Sequence, residues 1–486
     1  MEHLKKLTIL HSNDMHGDFL EKDVDGVKVG GISMLSGYVS DVRQENENAI
    51  YVIAGDMFRG SVIDSEYRGM STIEIVNILS PDVVTLGNHE VDYGLAHLLF
   101  VEKCANFPII NANMYITTNH KRLFDSHIIL EVDGMNILFI GILTEEVIAS
   151  TKLDPLIGAI VDVEEAAKEV GKICNSYKTV DIDFTVLLTH IGLDQDIELA
   201  KNLDERWGVD LIIGAHSHTF MDEAIEVNGI PIAQAGEGTS QVGRFDIIVN
   251  TDTNDIHEYT WSCVPINEET SHVDEHLEKI VQSYKDETDR KYNRVITRFV
   301  DEYTHPIRNE ETELGKLFAD AIKDSLGVDL VFLGSGSIRD KQLGPIVLYQ
   351  DLLKIFPFND ELHRIYVTGA QLKKSIKHIL RDESFENTTE FYQFSRGLRI
   401  EYHREPKDLV SVSLKGVEIK DDDTFTLALQ DYHLKNIEDF LNLKLEDVSD
   451  YKKPKLLSAN STDLIEEYLT HHDQIRVLED KRLIIK

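Results

Sequence analysis

Three observations predict an α/β protein followed by a smaller α+β part. Through the first half of the chain, apolar runs of strand length alternate with helical patterns such as Ile32 to Val42 and Val163 to Tyr177. Each of these runs stops at a polar residue able to bind a metal or phosphate, or at a glycine. Beyond about residue 300 strands and helices mix without that alternation: a helical pattern at Leu314 to Leu326, an apolar run Leu330-Val331-Phe332-Leu333, and a small-residue turn Gly334-Ser335-Gly336-Ser337.

Taken in order, Leu7 to Leu10 leads into His11-Ser12-Asn13-Asp14-Met15-His16, Ile50 to Ile53 into Gly55-Asp56, and Val83 to Leu86 into Gly87-Asn88-His89-Glu90. Ile137 to Ile140 precedes Gly141, Phe184 to Leu188 leads to His190, Leu211 to Ile213 leads to His216-Ser217-His218, and Ile230 to Ile232 precedes Gly236. Buried strands that end in ligand-bearing loops are how α/β sheets build active sites. The runs Ile225 to Ile232 and Phe245 to Val249 lie close in sequence and are expected to be antiparallel. From His272 to Tyr292, Val273, Leu277, Ile280, Val281 and Tyr284 recur at helical spacing among charges, which predicts an exposed amphipathic helix joining two domains. The expected division is 1–268, a linking segment 269–300, and 301–486.

With 486 residues the chain can bury more than one core. The formal charge of −37 disfavours long nucleic acid as a partner but admits a small phosphorylated substrate if bound metals invert the field locally. No stretch approaches the roughly 20 apolar residues a membrane span needs. The segment before the first strand is too short for a signal peptide, and Cys104, Cys174 and Cys263 form no pair motif, so a reducing cytoplasm is the expected setting.

Singly, each ligand-bearing loop is a weak signal. An Asp-x-His such as Asp14-Met15-His16 is common by chance, Asp56 has the look of a turn or cap residue, and a lone His190 is usually a satisfied core histidine. Five such loops at equivalent strand ends change the odds. Side chains two apart in extended chain point the same way, so Asp14 and His16 can reach one ion, and His216 and His218 have the same i, i+2 relation at a strand end. Seven ligands suffice for two: Asp14, His16, Asp56 and His218 for one, and Asp56, Asn88, His190 and His216 for the other, with Asp56 shared. Mixed nitrogen and oxygen donors suit Mn²⁺, Zn²⁺, Fe or Co²⁺. Two such ions would attract phosphate and acidify a bridging water to hydroxide.

The set Asp14-x-His16, Gly55-Asp56, Gly87-Asn88-His89-Glu90, His190 and Gly214-Ala215-His216-Ser217-His218 resembles the calcineurin-like metallophosphoesterases. The stretch Leu86 to Gly94, with Pro108-Ile109-Ile110-Asn111-Ala112-Asn113 and Gln234-Ala235-Gly236-Glu237, is similar to their 5′-nucleotidase branch. That resemblance implies a four-layer α/β/β/α catalytic domain followed by a smaller α+β domain that holds the nucleoside. It implies hydrolysis of nucleoside monophosphates or related nucleotides. A cyclic phosphodiester or a UDP-sugar pyrophosphate is the alternative on the same site, and a catalytically dead nucleotide sensor is the reading from another class. His89, not a ligand, would stabilise the transition state or protonate the leaving group, with Asp92 orienting its imidazole.

In the second domain Glu311 to Leu317 resembles the family's opening segment, Gly334 to Arg339 its glycine-rich loop, and Phe356-Pro357-Phe358-Asn359 its Pro-Phe segment. The match implies that Arg339 contacts substrate and Phe358 stacks on a base. Phe440 is the candidate second stacking ring. The chain departs from the pattern at Gly334 and Lys316, each in place of an Asn, and in the Leu434 to Phe440 loop, which lacks the family's glycines.

Overall fold

The computed structural model describes residues 3–116, 118–144, 157–158, 162–449, 453–477 and 480–486. The chain forms two compact units, Met1–Thr288 and Asp289–Lys486.

In the first unit the strands assemble into two six-stranded sheets. One sheet has the order Asp255–Pro265, Gln241–Asn250, Leu4–Ser12, Ala49–Ala54, Val83–Thr85, Ile109–Ile110. From Leu4–Ser12 to Ile109–Ile110 its pairs are parallel, and at Gln241–Asn250 the pairing turns antiparallel. The other sheet has the order Ile225–Val227, Ile230–Ala233, Leu211–Ile213, Phe184–His190, Met135–Leu143, His127–Val132. The parallel strands are apolar on both faces because both faces are covered, as parallel sheets require. Leu7, Ile9, Val52 and Val83 of one sheet meet Ile137, Phe139, Val186 and Leu211 of the other in a shared inner core. Ile32–Glu45, Met70–Leu79 and Leu95–Cys104 pack on the outer face of the first sheet. Val163–Ser176, capped by Asp162 on the Glu165 amide, packs with Leu193–Asn202 on the second. The result is the four-layer α/β/β/α arrangement.

Two local expectations differ from what forms. Ile225–Val227 pairs antiparallel with Ile230–Ala233, whereas Gln241–Asn250 crosses to the other sheet and pairs with Leu4–Ser12. Gly141 ends no strand but lies within Met135–Leu143. A Cβ there would stand 2.5 Å from the Ile110 carbonyl oxygen and 2.6 Å from Thr85 Oγ1, so the glycine permits a close approach of the first sheet's chain rather than a turn.

The amphipathic pattern after residue 272 forms the helix Glu275–Tyr292. Leu277 and Val281 are buried in the core beneath the first sheet's helices, most of the helix's other residues are exposed or half-buried, and the division between the two units falls within it, after Thr288.

The second unit holds a five-stranded sheet, ordered Tyr392–Phe394, Leu330–Gly334, Thr424–Gln430, Leu362–Thr368, Lys455–Ser458. A four-stranded sheet, ordered Val417–Glu418, Asp408–Leu414, Leu398–His403, Leu483–Ile485, accompanies it. Both are mainly antiparallel and are packed by the helices Glu313–Leu326, Gly369–Ile379 and Ser461–His471, an α+β unit. Arg482 is buried just before the last strand and makes a two-pronged ion pair with Asp320, both bonds at 2.7 Å.

Candidate metal centre

All seven sequence-predicted ligand side chains converge in the first unit. Nδ1 of His190 donates to the Ala54 carbonyl at 2.8 Å, which turns Nε2 to the centre, 3.2 Å from Asp56 Oδ2 and 3.1 Å from Asn88 Oδ1. Nδ1 of His216 lies 2.8 Å from the same Asn88 oxygen. On the other side, Nδ1 of His16 faces the Phe58 carbonyl at 3.2 Å and Nδ1 of His218 faces Glu237 Oε2 at 2.7 Å. Their Nε2 atoms stand 3.0 Å from each other, with Asp14 Oδ1 3.5 Å from His218 and Asp56 Oδ2 4.0 Å from His16. Donor atoms of Asp14, His16 and His218 lie within 4.8 Å of one another, as do those of Asp56, His190 and His216. Asp56 lies between the two groups, as a shared ligand must.

The residues fit divalent cations on the chemistry of this arrangement. Asp14 and Asp56 are almost fully buried carboxylates with no lysine or arginine paired to them among the described residues. Burial pushes the His190 imidazole down, but the carboxylates of Asp56 and Asp14 outweigh it and hold it up at about 9. Burial likewise pushes Asp56 up, and His190 and the His89 amide outweigh it, holding the carboxyl at about 2. A buried pocket that keeps a proton on an imidazole so firmly is a pocket that favours positive charge.

Backbone strain marks the same residues. Asp14, His16, Asp56, His216 and His218 all have positive φ, between 49° and 81°. The left-handed region costs a non-glycine residue about 1–3 kcal/mol and persists where the surroundings over-determine it. Here tight loop contacts do so. Gly55 has φ 83°, and a Cβ on it would stand 2.7 Å from both the Gly87 nitrogen and His190 Nδ1. At Gly87 a Cβ would stand 2.2 Å from Asp56 Oδ1.

Glu90 ties these loops together, a role its place in the motif did not disclose. Its buried carboxylate accepts from the backbone N–H groups of Gly87 (2.6 Å), Asp56 (2.9 Å), Met57 (2.7 Å) and Phe58 (3.3 Å). Burial and the nearby Asp56 push its carboxyl up to about 7, against those four donors. Glu90→Gln turns one acceptor oxygen into a donor facing amides. It is expected to lower stability by about 1–3 kcal/mol and to weaken metal retention. Thermal unfolding and metal content check this, and no change in either would place the rigidity of the loops elsewhere.

Asn13 is a second supporting residue that the sequence did not single out. It donates to Asp14 Oδ2 at 2.7 Å and to the Gly236 carbonyl at 2.6 Å. Its own side-chain oxygen accepts from the Ala235 amide at 2.9 Å. His89 donates its backbone N–H to Asp56 Oδ1 at 2.8 Å, and its Nδ1 is 2.7 Å from Asp92 Oδ2. The ring is partly exposed and lies 5.3 Å, centroid to centroid, from that of His16.

In the second unit the guanidinium of Arg339 stacks over Phe358 at 4.9 Å, so one face of that ring carries a cation. Phe358 is 37% exposed. Phe440 packs partly into the core, its ring 5.1 Å from His433 and 5.6 Å from Tyr432. Gly334 has a steric reason: a Cβ would meet His433 Nε2 at 2.3 Å. Lys316 donates Nζ to the Asp480 carbonyl at 2.9 Å and is used structurally.

Comparison with known proteins agrees with this geometry. Residues 7–220 match the calcineurin-like phosphoesterase family and residues 295–444 the 5′-nucleotidase C-terminal domain. The chain is 28% identical over 422 residues to the trifunctional nucleotide phosphoesterase protein YfkN of Bacillus subtilis, covering 76% of this chain and 27% of that protein. The endonuclease YhcR of the same organism is 26% identical over 458 residues, 88% of this chain and 37% of that protein. The chain thus spans about a third of the length of these two relatives. In fold it is similar to a 5′-nucleotidase precursor from Thermus thermophilus, with TM-score 0.58, 21% identity and 99% of each chain covered. The chain belongs to the calcineurin-like metallophosphoesterases, in the 5′-nucleotidase branch that carries a C-terminal domain of its own, a family built around a dinuclear divalent-metal centre.

Proposed function

We propose that the protein hydrolyses phosphate esters of nucleotides, with 5′-nucleoside monophosphates as the leading substrate class. The observation that carries this is the convergence of seven donor side chains on two groups that share Asp56. Asp14, His16, Asp56 and His218 would hold one divalent cation, and Asp56, Asn88, His190 and His216 the other. The mixed nitrogen and oxygen donors support Mn²⁺, Zn²⁺, Fe or Co²⁺. When bound, such ions supply Lewis acidity to phosphoryl oxygens and acidify water.

The chain's own residues do the rest. Carbonyls at Ala54 and Phe58 and the Glu237 carboxylate hold three imidazoles with Nε2 turned to the centre. Asp92 fixes Nδ1 of His89, so Nε2 is the nitrogen left to face the leaving oxygen and pass it a proton. No helix among the described residues is long and apolar enough to cross a membrane. The three cysteines are unpaired, which supports a reducing, cytoplasmic setting.

Arg339, Phe358 and Phe440 are assigned to substrate binding, with Phe358 stacking on the base. Phe358→Ala is expected to raise KM for a nucleotide by about tenfold, since base stacking is worth roughly 1–3 kcal/mol. It should barely alter hydrolysis of a small aryl phosphate, and equal effects on both would make Phe358 a packing residue. The substrate class itself is tested by turnover of mononucleotides, cyclic nucleotides, UDP-sugars and sugar phosphates with Mn²⁺. A clear preference for sugar phosphates would overturn the nucleotide assignment.

A further inference from the structure

Arg59 stands beside the metal centre with only one guanidinium nitrogen engaged. Nε donates to Asp92 Oδ2 at 2.7 Å, while neither Nη1 nor Nη2 makes a hydrogen bond among the described residues. The side chain is 52% exposed. Its chain neighbours both touch His16. The Phe58 carbonyl lies 3.2 Å from His16 Nδ1, and a Cβ on Gly60 would stand 2.3 Å from the His16 carbonyl oxygen. The Asp92 oxygen that holds Arg59 is the one that holds His89.

The side chain is also held firmly. Arg59 has φ 66°, a conformation that glycine would adopt at less cost and that an arginine keeps only under constraint. The constraint is visible: its backbone N–H donates at 2.9 Å to Asp64 Oδ2, a buried carboxylate that also accepts from Tyr93 O–H at 2.8 Å. The guanidinium carbon lies 6.0 Å from the Tyr93 ring centroid. A tethered amide, a pinned Nε and an adjacent ring leave a planar fork with two free ends. Neutralising Asp92 would require none of this.

We propose that Arg59 is a specificity-determining residue that receives a second phosphate group of the substrate, next to the one held at the metal centre. Arg59 is then the residue of this chain that favours a phosphoanhydride over a monoester. Asp92 stands between Arg59 and His89, so the guanidinium is one side chain further out than the group that meets the leaving oxygen. A guanidinium fork matches two oxygens of one phosphate group. On a chain of net charge −37, a second anionic group needs a local cation to be tolerated. This inference rests on the phosphohydrolase reading above and not on the nucleoside.

The test is competitive inhibition of p-nitrophenyl phosphate hydrolysis by methylenediphosphonate and by orthophosphate, at fixed free Mn²⁺, for the native protein, Arg59→Gln and Arg59→Lys. Arg59→Gln should raise the inhibition constant of the diphosphonate by about tenfold or more, because it removes a two-pronged charged contact. The constant for orthophosphate should move less than about threefold, and Arg59→Lys should fall between, since an ammonium is a point charge without the fork. Equal shifts for both inhibitors, or none for either, would overturn the proposal and leave Arg59 a positioning residue for Asp92. Absence of any aryl phosphate hydrolysis by the native protein would overturn the phosphohydrolase reading and this inference with it. If aryl phosphate is hydrolysed and nucleotides are not, only the nucleotide assignment fails, and the two inhibition constants still decide for Arg59.

Discussion

Asp56→Asn is expected to strip the protein of bound metal and to lower phosphate-ester hydrolysis by at least about 10²–10³-fold, the scale of losing one electrostatic partner of the transition state. Asp56 is the carboxylate facing both donor groups, and its other oxygen also receives the His89 amide. The amide side chain keeps the shape but loses the charge and one acceptor. Metal content measured beside the rate separates this cause from a folding defect, and a metal-replete Asp56→Asn protein with full activity would end the shared-ligand assignment. A pH dependence follows. Metal uptake by the metal-free protein must displace the proton that the carboxylates hold on His190 up to about pH 9. Apparent metal affinity should therefore rise with pH toward that value and fall in acid, with proton release measurable in buffers of different ionisation enthalpy.

His89→Ala is expected to keep its metals and lose about 10²–10⁴-fold in rate, the usual contribution of a positioned acid. The structure points to this separation because Asp92 fixes the His89 imidazole, whose ring stands edge-on to that of His16, while the bond His89 makes to Asp56 comes from its backbone N–H, which the substitution keeps. The deficit should shrink for aryl phosphates, whose leaving groups need no proton. A deficit of equal size on alkyl and aryl esters would argue for electrostatic stabilisation in place of proton transfer.

The metal loops could be read from sequence because each follows a strand buried on both faces, and such strands are continuous apolar runs of a length that needs no tertiary context. The i, i+2 pairs Asp14/His16 and His216/His218 were visible as pairs, but the extended geometry expected of them is not what forms: all four have positive φ, and His216 and His218 fall in different donor groups. What sequence spacing does not carry is the sign of φ: nothing in the order of residues announces that Asp14, Asp56 and Arg59 share the left-handed region. Glu90 was in view as a member of its motif, yet its four amide donors come partly from a loop more than thirty residues earlier. Gly141 misled because a glycine that admits a neighbouring chain and a glycine that ends a strand look alike in sequence. The strand Gln241–Asn250 joined the far sheet because its partner, Leu4–Ser12, is non-local. The last strand, Leu483–Ile485, and the Arg482–Asp320 pair before it were hidden for the same reason.

The most direct test of the dinuclear centre is anomalous diffraction from crystals soaked in Mn²⁺, recorded at the manganese edge. Two peaks are predicted in the first unit. One should be bounded by Asp14, His16 and His218, the other by Asn88, His190 and His216, with Asp56 between them. A single peak there, or occupancy only at another carboxylate–imidazole cluster such as Glu361, His363 and Asp431 in the second unit, would contradict the account.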